Sequence, residues 1–265
     1  MYKVGFIGCG NMATAIIGGL IENAGISPNE IIASDASEAA LEKISAGRGC
    51  DTTTDNCTVA ENAKVLFLSV KPQYYETVIN DIKGSLAGEQ IIVTIAPGKT
   101  LAWLTERLGS NVKLVRTMPN TPALVGEGIT GVCKNELVSD SEFEYILSLL
   151  GSFGLAEPIP ESLMDACVSV SGSSPAYVFM FIEAMADAAV ADGMPRSQAY
   201  RFAAQAVLGS ARMVLETGKH PGELKDMVCS PGGTTIEAVR VLEEKGFRSS
   251  VMEAMKACTA KAKGL

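Results

Sequence analysis

Two short segments hold residue types whose order suits chemistry. The first, Gly8-Cys9-Gly10-Asn11-Met12-Ala13, fits GxGxxG/A. It follows the apolar run Val4-Gly5-Phe6-Ile7 and opens a helical pattern, the strand–turn–helix setting of a dinucleotide fingerprint. In that role Gly8 makes the tight turn, Gly10 lets the backbone approach a pyrophosphate, and Ala13 lets the helix pack closely on the strand. The N–H groups and positive dipole end at the helix start favour the anion. The alternative is a glycine-rich turn that holds no ligand. The second segment, Ser230-Pro231-Gly232-Gly233-Thr234-Thr235, also stands directly before a helical pattern. Its small residues expose backbone N–H groups, and the hydroxyls of Ser230, Thr234 and Thr235 add donors, a combination suited to a carboxylate. Composition alone equally allows an ordinary helix cap there. A dinucleotide fingerprint and a carboxylate loop in one chain point to an NAD(P)-dependent oxidoreductase with a small anionic substrate.

Smaller signals surround the fingerprint. An apolar run ends at Ser34-Asp35, about 20 residues past the glycines, where an acid usually accepts the ribose 2′-OH. Asp35 would repel a 2′-phosphate, although Ser34 can still bond one if Asp35 points away; Asp35 also reads as a cap for the next helix. NADH and NADPH thus both remain open. Asn56 either reaches the adenosine or caps its helix. Ser69-Val70-Lys71-Pro72 ends a central strand, where open α/β sheets bind ligands, so Lys71 is either a cation near the cofactor or a solvated lysine. Ile95-Ala96-Pro97-Gly98 ends another strand and is expected to line the nicotinamide side.

The elements that must position these residues follow from apolar periodicity. Strands are predicted at 4–7, 30–34, 65–70, 90–95, 112–117, 128–133 and 155–159, with helices at 11–23, 37–46, 72–82, 100–108 and 140–150. Alternation of the two implies right-handed βαβ units in a mostly parallel sheet. Beyond Glu157-Pro158-Ile159-Pro160 the pattern is helical only: 175–191, 197–217, 235–245 and 249–263. The fold class is therefore α/β, an N-terminal Rossmann-type, mostly parallel sheet over residues 1–160 and an all-helical part over 161–265. Those later helices are apolar around most of their circumference and need a partner surface, either a second subunit or the rest of the chain.

Bulk properties exclude several classes. The formal net charge of -8 argues against a nucleic-acid partner, whose phosphates need Lys and Arg. Seven cysteines without a CxxC pair, and one histidine, argue against structural zinc or a disulfide framework and for free thiols in a reducing compartment. No basic segment followed by a long apolar run opens the chain, and Glu183 and Asp187 interrupt its most apolar later segment, so neither signal peptide nor membrane span is expected. The expected location is the cytoplasm. His220, in Lys219-His220-Pro221-Gly222, reads as part of a helix-ending turn, and Tyr177 as a core or interface residue.

The stretch from Lys225 to Ala238, which contains Cys229-Ser230-Pro231-Gly232-Gly233-Thr234-Thr235, resembles the signature of the pyrroline-5-carboxylate reductase family. Gly8-Cys9-Gly10-Asn11-Met12-Ala13, Ser69-Val70-Lys71-Pro72, Arg116-Thr117-Met118-Pro119-Asn120-Thr121-Pro122 and Ser171-Gly172-Ser173-Ser174-Pro175-Ala176-Tyr177 add to the likeness, in order, over the whole chain. The resemblance implies hydride transfer from NAD(P)H to the C=N bond of 1-pyrroline-5-carboxylate, giving L-proline. It implies that Ser230, Gly232, Gly233, Thr234 and Thr235 hold the substrate carboxylate, with Thr235, the candidate catalytic residue, near the ring nitrogen. It assigns cofactor contacts to Ile7, Gly8, Cys9, Gly10, Asn11, Met12, Ser34, Asn56, Val70, Lys71, Pro72 and Ala96, and brings Glu161 close. It also implies a homodimer through the C-terminal helices and a larger ring, commonly a decamer. A related β-hydroxyacid dehydrogenase would carry a lysine on the first long helix of its second part; residues 175–191 contain none. A dinucleotide-responsive regulator would not need the carboxylate loop.

Overall fold

A computed structural model describes residues 1–264, which form two compact units, residues 1–173 with 258–264 and residues 174–257. The first unit is built on eight strands: β1 Tyr2–Ile7, β2 Ile31–Ser34, β3 Asp51–Thr53, β4 Ala63–Leu68, β5 Ile91–Thr94, β6 Lys113–Met118, β7 Gly128–Lys134 and β8 Gly154–Pro158. Their order is β3-β2-β1-β4-β5-β6-β7-β8. All neighbours are parallel except β6 and β7. After β1 the chain builds outward through β2 and β3, then crosses to β4 on the other flank of β1. That reversal is the switch point at which open parallel sheets bind ligands, beyond the strands' carboxyl ends.

Burial on both faces explains the continuous apolar runs. Val4 and Phe6 of β1, Val65 and Phe67 of β4, and Ile91 and Val93 of β5 enter one core, with Ile16, Ile17 and Leu20 of α1 (Asn11–Glu22) and Ile146, Leu149 and Leu150 of α6 (Asp140–Leu150). The intervening residues Ile7, Leu66, Leu68 and Ile92 enter a second core under α3 (Asn56–Asn62), α4 (Tyr75–Ile82) and α5 (Leu101–Leu108). Period-two alternation sends successive side chains to opposite faces, so a strand covered twice must be apolar throughout. Phe6 and Phe67 stack at 4.9 Å between ring centroids in the first core. Both are fully buried, and truncating Phe67 to Ala would cost about 3–5 kcal/mol.

Local departures from the expected elements have physical causes. β3, Asp51-Thr52-Thr53, is a three-residue edge strand with no apolar run to announce it. Pro72 opens a 3-10 turn, Pro72–Tyr74, and α4 begins only at Tyr75. The helix expected to begin near residue 37 is α2, Glu38–Arg48, capped by Ser37, whose hydroxyl accepts the Ala40 N–H.

The second unit comprises α8 (Ser174–Ala191), α9 (Arg196–Thr217), α10 (Pro221–Val228), α11 (Thr234–Glu244) and the first part of α12 (Phe247–Lys263). The helix α7 (Met164–Cys167) precedes them in the first unit. The turn at Gly218 (φ 63°) does end α9, but His220 then starts α10: its Nδ1 accepts the Gly222 N–H at 3.0 Å. α8 and α9 pack together, burying Ala186, Ala199 and Ala203. Phe179, Met180, Phe202 and Leu215 stay 63–80% exposed on the chain. By length and composition alone, the stretch 161–191 would also pass for a membrane span, although Glu183 and Asp187 lie within it.

Candidate active site

A cavity of about 600 Å³ opens at the switch point. Ile7, Gly8 and Gly10 line it from the β1–α1 turn; Asp35, Ala36 and Ser37 from the end of β2; Asn56 from α3; and Ser69, Val70 and Lys71 from the end of β4. The turn is shaped by close approach. Gly8 has φ +102°, and a Cβ there would stand 2.8 Å from the Ser69 carbonyl and the Val70 nitrogen. The Ser69 hydroxyl donates to the Gly8 carbonyl at 2.7 Å, tying the two strand ends together. Gly10 is different: a Cβ built on it would meet nothing within 4 Å. Its open side belongs to the cavity, so the backbone there is accessible to a ligand as bulky as a pyrophosphate. Gly10 is also the N-cap of α1; no side chain caps that helix and no acid stands in its first turn. The free N–H groups and dipole end are left for an anion.

The remaining predicted contacts divide. Ser34 is fully buried, and its hydroxyl donates to Asn56 Oδ1 at 2.8 Å, so it supports Asn56 and does not itself line the cavity. Cys9 and Ala96 are buried, and Cys9, Asn11, Met12, Pro72 and Ala96 are not lining residues. Burial, reinforced by Asp35, pushes the Cys9 thiol up to about 12, so it is no nucleophile at neutral pH. Lys71 is the one cation among the lining residues. Asp35 is not the cap of α2. Its Oδ2 accepts the Cys9 N–H at 2.7 Å and its Oδ1 the Ser37 N–H at 2.8 Å.

The loop at residues 230–235, the candidate carboxylate site, lies in the second unit. Gly232 has φ +68°, a left-handed conformation that favours glycine, and the Gly233 N–H closes the turn on the Ser230 carbonyl at 3.0 Å. Gly233 is the N-cap of α11, again without a side-chain cap. Thr234 and Thr235 occupy its first two helical positions, and among the described residues the hydroxyls of Ser230, Thr234 and Thr235 bond to nothing in the chain. The loop is therefore not an ordinary side-chain cap. It presents uncapped N–H groups and three unused hydroxyls, a donor array matched to a carboxylate.

A family model described as pyrroline-5-carboxylate reductase dimerisation matches residues 161–265, and one described as NADP oxidoreductase, coenzyme F420-dependent, matches residues 3–98. Over 263 residues the chain is 54% identical to pyrroline-5-carboxylate reductase of Escherichia coli strain K12, covering 99% of this chain and 98% of that one. The chain belongs to the pyrroline-5-carboxylate reductase family. The enzyme of that name from Methanosarcina acetivorans is 41% identical, with 99% and 97% covered. The crystal structure of Plasmodium falciparum pyrroline carboxylate reductase with NADP bound superposes with a TM-score of 0.91 at 32% identity, covering 99% and 97%.

In this family member the cavity also has a wall that sequence reading missed: Tyr74, Thr77, Val78 and Asp81. Their spacing, i, i+3, i+4 and i+7, is one helical face, a signal present in the sequence but easily read as core alone. Tyr75, next in the chain, points the other way. It is fully buried; its hydroxyl donates to the Leu68 carbonyl at 2.5 Å and meets Thr94 Oγ1 at 2.9 Å, joining the ends of β4 and β5. Burial raises its pKa above the ordinary tyrosine value, so it stays protonated as a structural donor. Glu161 Oε1 accepts from Leu101 N–H at 2.7 Å and from buried Arg116 at 2.9 Å, fastening the start of α5 to β6.

Proposed function

We propose that this reductase transfers hydride from NAD(P)H to the C=N bond of 1-pyrroline-5-carboxylate, forming L-proline as the last step of proline biosynthesis. One observation carries the reading: a chain related end to end to pyrroline-5-carboxylate reductases has both an open dinucleotide cradle at Gly10 and an uncapped carboxylate loop before α11. The residues present fit the cofactor. The cradle that a Cβ at Gly10 would fill takes the pyrophosphate, with the α1 N-terminus and Lys71 answering its charge. Tyr74, Thr77 and Asn56 border the adenosine side, and Ser34 holds Asn56 in place. Cys9, Asn11, Met12, Pro72 and Ala96 support this site from the turn and strand ends.

When bound, reduced nicotinamide supplies the hydride. The chain's own residues orient the acceptor. Ser230, Gly232, Gly233, Thr234 and Thr235 grip the carboxylate, which fixes the ring relative to the incoming hydride and supplies the orientation part of catalysis. Protonated imine is the better electrophile; the Thr235 hydroxyl donates a hydrogen bond to the ring nitrogen of the neutral imine and accepts one from the N–H once that nitrogen is protonated. Because that hydroxyl is a weak acid, the proton that completes the secondary amine comes from solvent or arrives with the substrate. Residues 1–160 serve the cofactor and residues 161–265 the substrate in this reading, although the compact units divide between Ser173 and Ser174, with 258–264 belonging to the first.

The apolar faces of α8 and α9 support assembly through the region that matches the dimerisation model, as a homodimer and then a decameric ring. A biosynthetic role supports a location in the cytoplasm. The test is loss of reduced-nicotinamide absorbance with pyrroline-5-carboxylate present, with proline identified as product. Turnover to proline supports the reading, and a folded protein that binds dinucleotide without turnover overturns it.

A further inference from the structure

β2 ends at Ser34, and the Asp35 carboxylate beyond it is held from both sides. One oxygen accepts the Cys9 N–H of the glycine turn and the other the Ser37 N–H that opens α2. The group is half-buried and lines the cavity beside Ala36 and Ser37. A carboxylate has about four lone-pair sites, so two N–H partners leave room to accept a ribose hydroxyl. An acid at the end of the second strand meets the adenosine ribose at its 2′ position.

The same placement is hostile to a 2′-phosphate. The charged residues that line the cavity are Asp35, Asp81 and Lys71. Lys71 comes from the end of β4, on the opposite flank of β1 from β2. The first turn of α2 adds Glu38, and the first basic residue after β2 is Lys43, more than a turn into that helix. Among the described residues that line the cavity, no cation at the β2 end answers a phosphate, and Asp35 cannot swing away without releasing both N–H groups.

We propose that Asp35 sets cofactor choice in this chain, favouring NADH over NADPH through a negative charge fixed on the glycine turn. The proposal rests on the dinucleotide site of the reductase reading. It assigns Asp35 two separable effects. Anchoring of the turn supports both cofactors equally, whereas its charge acts only on the one with the extra phosphate.

The experiment is direct titration of NADH and NADPH, by nicotinamide fluorescence and without imine, on the unmodified protein, Asp35→Asn, Asp35→Ser and the control Glu38→Gln. The unmodified protein should bind NADH at least about tenfold more tightly, a 1.4 kcal/mol difference. Asp35→Asn and Asp35→Ser should each shift the ratio toward NADPH by about tenfold, even if both affinities fall as the turn loosens. Glu38→Gln should shift it less than about twofold, because an exposed charge is screened. Equal binding of the two cofactors by the unmodified protein, or an unchanged ratio in both Asp35 variants, overturns the proposal alone. Binding of neither cofactor by folded unmodified protein overturns the dinucleotide reading and the proposal with it.

Discussion

The two glycines of the β1–α1 turn should respond oppositely to the same added methyl group. At Gly10 the backbone is φ -70°, ψ -177°, which any residue adopts, and a Cβ meets nothing within 4 Å. Gly10→Ala restricts the unfolded chain, worth about 0.4–1 kcal/mol, and replaces a glycine cap with a poorer one at a similar cost. Net stability should therefore stay within about 1 kcal/mol. The methyl instead stands on the open side of the cradle, where overpacking costs about 1–3 kcal/mol, or about five- to 150-fold in dinucleotide affinity. At Gly8 the methyl meets backbone atoms of Ser69 and Val70 at 2.8 Å, with φ at +102°. Strain of about 1–3 kcal/mol and a similar packing cost add to roughly 2–6 kcal/mol, a large share of a typical folding free energy. Urea unfolding and NADH titration on both variants separate the effects. Unchanged affinity in Gly10→Ala would refute the cradle, and parental stability in Gly8→Ala would refute the close-approach argument.

Other outcomes follow from the same geometry. Thr235→Ala should lower kcat at least about tenfold with dinucleotide affinity within about twofold if the loop serves the substrate as proposed; equal losses in steady-state kinetics and cofactor titration would make the loop a fold element. Glu142 is held down to about 2 by the hydrogen bond from Lys113 and then by the Ser139 N–H, against an ordinary value of 4.5. A lowered carboxyl stabilises the fold above its unfolded pKa and loses that contribution as pH falls toward its folded one. Glu142→Gln should thus cost about 1 kcal/mol at neutral pH, discounted for its partial exposure, with the gap closing between pH 4.5 and about 2 in thermal unfolding. A gap independent of pH would assign the loss to something other than charge. Phe179→Glu with Phe202→Glu should shift sedimentation toward monomer if, as proposed, the exposed apolar faces of α8 and α9 supply the association surface; an unchanged assembly would place the interface elsewhere.

Much of this was legible in sequence because continuous apolar runs and glycine spacing are local signals. The runs at Val4–Ile7 and Val65–Leu68 announce strands buried on both faces, and the GxGxxA turn announces the cradle between them. What escaped depends on tertiary neighbours. β3 forms only because β2 offers an edge to Asp51–Thr53. Ser34 has the composition of a ligand contact, yet lies under Asn56. Asp35 left ribose binding, capping and repulsion open, and the two backbone N–H groups that hold it come from residues 26 positions before and two after it. Tyr74 and Tyr75 are identical in type and adjacent, but the turn preceding α4 sends one to the cavity and the other into the core.

The most direct test of the central claim is the fate of the transferred hydrogen. Reduced dinucleotide carrying deuterium on nicotinamide C4, incubated with pyrroline-5-carboxylate and this protein, should give L-proline labelled on the ring carbon formerly double-bonded to nitrogen, with a proton from water on the nitrogen. Deuterium on the transferred face should appear in one orientation at that carbon, as a held carboxylate requires. Proline without the label, or oxidation of the cofactor without proline, would contradict direct hydride transfer to an oriented imine.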